Sequence, residues 1–295
     1  MGSASDRAWT VGDLLNWTRA HFRDGGLDSP RLTAELLLSH ALGCRRIDLY
    51  ARFDETVDEA GRARFRDLVR RRDARVPVAY LTGTAHFLTL EVQVDERVMA
   101  PRPETETLVT AFADRVAAAG TVADVGTGSG VIAIALARRH ADLRVAAIDV
   151  SADALAVARE NVARYGLADR VTLIEGDLLA PLMDGASERE IAAVVANPPY
   201  VSEADLAAAE PEVREHEPRI ALDGGPDGLR VIRRLIEQAP RALAGGGWLL
   251  MEIGAGQADA VQNHLEQQGA WQGIARVRDY GGHERVIVAR LRGRA

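Results

Sequence analysis

Apolar positions recur every three or four residues from Thr10 to about Ala79, first at Val11, Leu14, Leu15 and Thr18, then at Leu32, Leu36, Leu37 and His40. That spacing lines one face of a helix. Asp28-Ser29-Pro30 predicts a helix start, with Ser29 as N-cap and Pro30 at the first helical position. The period returns from Glu59 to Arg75 through Ala63, Phe65, Leu68 and Val69, and Arg70, Arg71, Arg72 and Arg75 form what reads as a solvated face. The pattern therefore predicts a small helical bundle over residues 1–79. Val76-Pro77 interrupts it, and from Tyr80 to Met99 the texture turns to alternation through Phe87, Leu90, Val92 and Val94. A β-hairpin or extended linker is expected over 80–100. Pro101 and Pro103 then forbid helix until Glu104, after which Leu108, Val109 and Phe112 resume helical spacing.

Beyond Thr121, strand and helix alternate. Strands are predicted at residues 122–125, 144–150, 171–175, 192–196 and 248–253, with helices at 130–139, 152–165, 229–243 and 257–268 between and after them. Such alternation implies a parallel sheet covered by helices. The end departs from it, because 275–280 and 285–291 are joined only by Gly281-Gly282-His283-Glu284, which demands an antiparallel hairpin. The expected fold of 101–295 is α/β, a Rossmann-like seven-stranded sheet with an antiparallel final strand. This is the arrangement of a class I methyltransferase.

Composition narrows the partners. With 47% hydrophobic and 27% charged residues the chain is an ordinary globular protein, and a net charge of −7 supplies no overall field toward nucleic acid or an anionic membrane. All 36 basic residues are arginine, a compositional bias without functional weight. One cysteine, Cys44, excludes an internal disulfide and a cysteine-built metal site, and beside Ala41-Leu42-Gly43 it reads as a buried structural thiol. No apolar run is long enough to span a membrane, and Asp6 stands where a signal peptide would carry a basic start. A cytoplasmic monomer without metal is expected; Met1-Gly2-Ser3 is set aside from fold reasoning.

Two motifs carry the chemistry. Gly126-Thr127-Gly128-Ser129-Gly130 sits where the first strand of the sheet hands over to a helix, so a ligand can approach bare backbone. Val131 stands where a dinucleotide fingerprint would have glycine, and the Gly-Lys-Ser/Thr of a P-loop is missing. S-adenosylmethionine (SAM), which carries no phosphate, suits this loop better than NAD or ATP. Asp149, near the usual twenty-residue offset, is placed to accept from ribose hydroxyls or, with Ser151, to cap a helix. Asp177 and Leu178, after the third strand, are weaker adenine-side candidates. Asn197-Pro198-Pro199-Tyr200 follows an apolar strand and so falls at the carboxyl edge of the sheet, where open α/β folds bind ligands. A planar nitrogen is a poor nucleophile because its lone pair is delocalised. The Asn197 oxygen and a main-chain carbonyl freed by the prolines are two acceptors for its hydrogens, and Tyr200 can stack on the plane.

These residues resemble the PrmC/HemK family, the N5-glutamine methyltransferases of peptide chain release factors. The resemblance extends to Pro77–Gly83, Pro101-Arg102-Pro103-Glu104-Thr105-Glu106, Asp124–Gly130, Glu217-Pro218, Ala221–Leu229 and Glu252-Ile253-Gly254. It implies SAM as methyl donor, bound by Gly126–Gly130 and Asp149, and as acceptor the glutamine of the Gly-Gly-Gln loop in bacterial class I release factors, held by Asn197–Tyr200. It also implies that the segment of Arg102 and Glu104 folds over the site, by ligand contact or by an ion pair pinning the segment, and that the helical N-terminal domain docks the release factor. Leu178 departs from relatives that carry an aromatic residue there. The rival readings are an adenine-N6 DNA methyltransferase, against which stand the acidic charge and the Gly-Gly-Pro-Asp-Gly segment, and a non-catalytic SAM-binding scaffold.

Overall fold

Thr10 starts the first helix of the computed structural model, which describes residues 8–116, 120–183 and 191–293; Met1-Gly2-Ser3 and Asp6 lie outside the described residues. The Thr10 hydroxyl accepts from Asp13 N (3.1 Å) and the Asp13 carboxylate accepts from Thr10 N (3.2 Å), a capping box that opens α1 (Val11–Asp24). With α2 (Pro30–Leu42), α3 (Asp48–Ala51), α4 (Glu59–Asp73) and α5 (Val78–Thr82) it forms the first of two units, 1–83. Phe22, Leu37, Leu38 and Leu49, all fully buried, centre its core.

Four expectations change here. Ser29 occupies the N-cap of α2 in a left-handed conformation (φ 46°) and its side chain makes no capping bond, although Pro30 opens the helix as expected. Arg72 is buried and donates to Val76 O (3.0 Å), so it is not part of the solvated arginine face. Cys44 is half-buried at the border of the helical core. The alternation read from Tyr80 begins only at Thr84, because Tyr80 lies inside α5, which Gly83 ends at φ 73°.

The second unit, 84–295, begins with β1 (Thr84–Phe87) and β2 (Leu90–Gln93), an antiparallel hairpin, and α6 (Glu106–Ala113), led in by a 3-10 turn at Pro103–Thr105. Its sheet contains β3 (Gly120–Val125), β4 (Leu143–Asp149), β5 (Val171–Glu175), β6 (Ile191–Ala196), β7 (Leu243–Glu252), β8 (Trp271–Arg278) and β9 (Glu284–Leu291), in the order β5-β4-β3-β6-β7-β9-β8. The first five run parallel, while β9 is antiparallel to both β7 and β8. The helices α7 (Val131–Arg139), α8 (Ala152–Arg164), α12 (Arg230–Ala242) and α13 (Ala258–Gln268) fall where periodicity predicts them. The short α9 (Ala180–Met183), α10 (Glu203–Ala208) and α11 (Pro211–His216) do not announce themselves, being under two turns long.

Strand β6 is buried from Ala193 to Ala196 because helices cover both faces of a central parallel strand, which is why it reads as a continuous apolar run. The order of the strands matters more. The chain leaves β3 toward β4 and β5, then crosses back to β6 on the other side. The carboxyl ends of β3 and β6 therefore flank a reversal of direction, the place where a crevice opens in such sheets.

Candidate active site

A cavity of about 470 Å³ lies at that reversal, lined among others by Gly126, Thr127, Gly128, Ser129, Asp149, Asp177, Leu178, Asn197 and Pro199. It is of the size that small-molecule sites have. Gly128 holds φ 54° with nothing within 4 Å of where a side chain would begin, so the loop presents open backbone to the cavity. Gly130 turns at φ 80° against Ala158, letting α7 start close to α8.

Asp124 fixes the loop from below. Fully buried, its carboxylate accepts from Thr127 Oγ1 (2.6 Å) and Ala133 N (3.1 Å). Burial outweighs these bonds and pushes its pKa up to about 7 from the ordinary 3.8. The folded chain thus binds a proton that the unfolded chain releases between about pH 4 and 7, and stability falls as pH rises through that window. Asp124→Asn should reduce the loss of Tm between pH 5 and 8 by roughly 5–10 °C in ligand-free protein. An unchanged slope by calorimetry would exclude Asp124 as its source.

Asp149 ends β4 and accepts from Gly128 N (2.9 Å) and Ser151 N (2.9 Å), one bond per oxygen. Burial raises its pKa while these amides oppose the rise. Ser151 itself caps α8, and the Asp149 carboxylate, with one bond per oxygen, keeps spare acceptor capacity. Asp177 borders the cavity but is engaged by Arg234 (2.5 Å). Leu178 holds a left-handed φ of 54° and packs against the core.

At the end of β6, Asn197 Nδ2 donates to the Thr105 hydroxyl (3.0 Å). Pro199 lines the cavity beside it; Pro198 is buried and the half-buried Tyr200 packs against the core. The Tyr200 hydroxyl donates to Glu252 Oε1 (3.0 Å), and burial, with Glu252 next to it, raises the Tyr200 pKa. Its carbonyl accepts from Gln257 Nε2 (2.9 Å) and lies 2.3 Å from where a side chain on Gly228 would begin, which excludes anything larger there. Arg102 donates through Nη2 to both oxygens of Glu217 (2.7 and 2.8 Å). The ion-pair partner of Arg102 is thus Glu217, while Glu104 adds a like charge that helps raise the Glu252 pKa.

Residues 13–83 match the model of the PrmC N-terminal domain, and 103–215 that of the methyltransferase small domain. The release factor glutamine methyltransferase of Rhodopirellula baltica is 42% identical over 97% of this chain and 97% of that protein, and that of Geobacter sulfurreducens 41% over 96% and 97%. The chain belongs to the release factor glutamine methyltransferase family. The catalytic domain of hMettl16, solved in complex with MAT2A 3'UTR hairpin 6, matches with a TM-score of 0.55 at 16% identity over 69% of this chain and 76% of that one, a likeness of fold alone.

The methyl donor of such a methyltransferase fits the residues present. The glycine backbone is open, Asp149 retains lone pairs toward the cavity, and Ile148, Val150 and Leu178 supply apolar wall. Sequence reading gives no individual role to Thr105, Asp124, Glu217 or Glu252. A signal existed for two of them: Asp124 and Glu252 are carboxylates inside otherwise apolar strands. Arg102→Ala should cost about 2–4 kcal/mol in urea unfolding, because Glu217, with 1% of its side chain exposed, loses its counter-charge; partial exposure of Arg102 keeps the loss below that of a fully buried pair. A change under about 0.5 kcal/mol would remove the pinning role.

Proposed function

We propose that the chain transfers the methyl group of SAM to the side-chain amide nitrogen (N5) of the glutamine in the Gly-Gly-Gln loop of class I peptide chain release factors. The observation that carries this is the presence of Asn197 in one cavity with the open loop Gly126–Ser129 and Asp149. SAM, when bound, supplies a methyl group on a sulfonium whose departure as a neutral thioether needs no acid. Gly126–Gly130 leave room for its methionine portion, Asp149 accepts from the ribose hydroxyls, and Leu178 with Asp177 border the adenine side. Asn197 Oδ1 and the Pro198 carbonyl accept the two hydrogens of the glutamine amide, which aims the nitrogen lone pair at the methyl. Tyr200 stacks on the amide plane. The residues work by position; no base is needed before transfer, and the nitrogen sheds one proton after it. Arg102 and Glu217 hold the segment that borders the site, and the unit 1–83 docks the release factor.

Incubation of unmodified recombinant release factor with this protein and SAM should add one methyl group to the peptide containing Gly-Gly-Gln, localised to the glutamine by fragmentation mass spectrometry. Absence of the gain with SAM binding intact would overturn the assignment and return DNA adenine as acceptor.

A further inference from the structure

Pro198 and Pro199 carry no backbone N–H, so their own amides cannot fix the direction of the tetrapeptide Asn197–Tyr200 by hydrogen bonding. Each ring locks φ, but ψ stays free to turn the Pro198 carbonyl, one of the two proposed acceptors on which this inference rests. The first residue able to anchor the far end through polar groups is Tyr200.

Residues 252–257, where β7 runs toward α13, hold Tyr200 at three points. Glu252, fully buried, accepts from the hydroxyl through Oε1 (3.0 Å). A side chain beginning on Gly254 would come within 3.3 Å of ring atom Cδ2, so the bare glycine lets the ring edge lie against the backbone. Gln257 Nε2 donates to the Tyr200 carbonyl (2.9 Å). That amide is itself fixed, because Gly254 N donates to Gln257 Oε1 (2.8 Å) and Gln257 N donates back to Gly254 O (3.1 Å). Gly254 N can only donate and Tyr200 O can only accept, so a single orientation of the amide satisfies both. Space is shaped around the same contact: a side chain beginning on Gly228 would lie 2.3 Å from Tyr200 O and 2.6 Å from Gln257 Nε2, closer than a carbon comes to either.

We propose that Gln257 is a positioning residue for methyl transfer: its amide bridges Gly254 N to Tyr200 O and, with Glu252 on the hydroxyl, keeps the Pro198 carbonyl and the Tyr200 ring directed at the glutamine amide. The bridge needs a donor and an acceptor on one side-chain end. A carboxylate at 257 accepts from Gly254 N but sets a second acceptor against Tyr200 O, and the thioether of methionine, similar in length, has no donor for it. The grip is separate from the methyl donor, since Gln257 is not among the described residues that line the cavity.

The test uses full-length Gln257→Met and Gln257→Glu, with release-factor methylation kinetics, calorimetric SAM affinity and Tm. Both variants should lower kcat about 10-fold or more at about pH 8, on the scale of the loss from a misplacement of about 1 Å, with SAM affinity within about threefold of the parent. Protonation gives the carboxyl introduced by Gln257→Glu an O–H for Tyr200 O and leaves its carbonyl for Gly254 N, and a carboxylate facing a carbonyl takes up that proton above its ordinary range. Measured against the parent at the same pH, the deficit of Gln257→Glu should therefore narrow about threefold or more between about pH 8 and about pH 5.5, while that of Gln257→Met stays constant. Parental kcat in Gln257→Met, a fall in SAM affinity equal to the fall in kcat, or a deficit of Gln257→Glu that does not change with pH overturns the grip. Either variant decides the matter if the other does not fold. Asn197→Ala, run alongside, separates the two levels. If it turns over normally, the acceptor role fails and takes the grip with it; if it is inactive while Gln257→Met is not, the grip alone fails.

Discussion

Asn197→Ala should lower kcat for release-factor methylation by about 10²- to 10³-fold, the loss seen when one fixed polar group facing a reacting centre is removed. The physical reason is that a glutamine amide nitrogen becomes nucleophilic only when its hydrogens are held out of the way of its lone pair, and alanine holds neither. SAM affinity should stay within about threefold, since Asn197 forms only one edge of a cavity whose loop and Asp149 stand on other strands. Turnover and calorimetric affinity, measured on the same preparation, separate the outcomes. Near-parental turnover would refute the acceptor role, whereas a parallel collapse of affinity would move Asn197 from the methyl acceptor to the donor.

The second large effect is expected at Asp149, on binding instead of turnover. A carboxylate accepting two ribose hydroxyls makes charge-assisted bonds of about 1.5–3 kcal/mol each, so Asp149→Ala should weaken SAM by about 100-fold or more. Part of that loss has a local origin, because the same carboxylate ties Gly128 N to Ser151 N and so shapes the loop. Asp149→Asn, which retains size and one acceptor oxygen, should fall between alanine and the parent. Unchanged affinity in Asp149→Ala would remove the ribose role.

The strands and long helices were legible in the sequence because burial leaves a repeating mark: β6 is apolar throughout, and α12 turns Ile232, Leu235, Ile236 and Ala239 to the core. The tetrapeptide could be placed at a sheet edge for the same reason. What was not legible is which distant side chains meet there. Arg102 and Glu217, Asn197 and Thr105, Tyr200 and Glu252 are 115, 92 and 52 residues apart, and their pairing follows from strand order, which residue spacing does not encode. Thus Arg102 could be expected to pin its segment while its partner stayed unknown. The half-buried state of Cys44 and the left-handed backbone of Ser29 and Leu178 belong to the same class, since each is imposed by tertiary neighbours and not by the local residue.

The insertion of β9 between β7 and β8 divides local fluctuations of the sheet into two grades. Among the described residues strand β8 pairs in the sheet with β9 alone, so it can detach at the edge while every pairing of β7 stays in place. Release of β9 is another matter: Glu252 pairs with Val286, and Ile253 N donates to Arg285 O (2.9 Å), so its departure unpairs the strand end whose buried carboxylate holds the Tyr200 hydroxyl. Opening at this edge therefore comes in two steps, and only the second, the loss of the ninth strand, uncovers the pairing of β7.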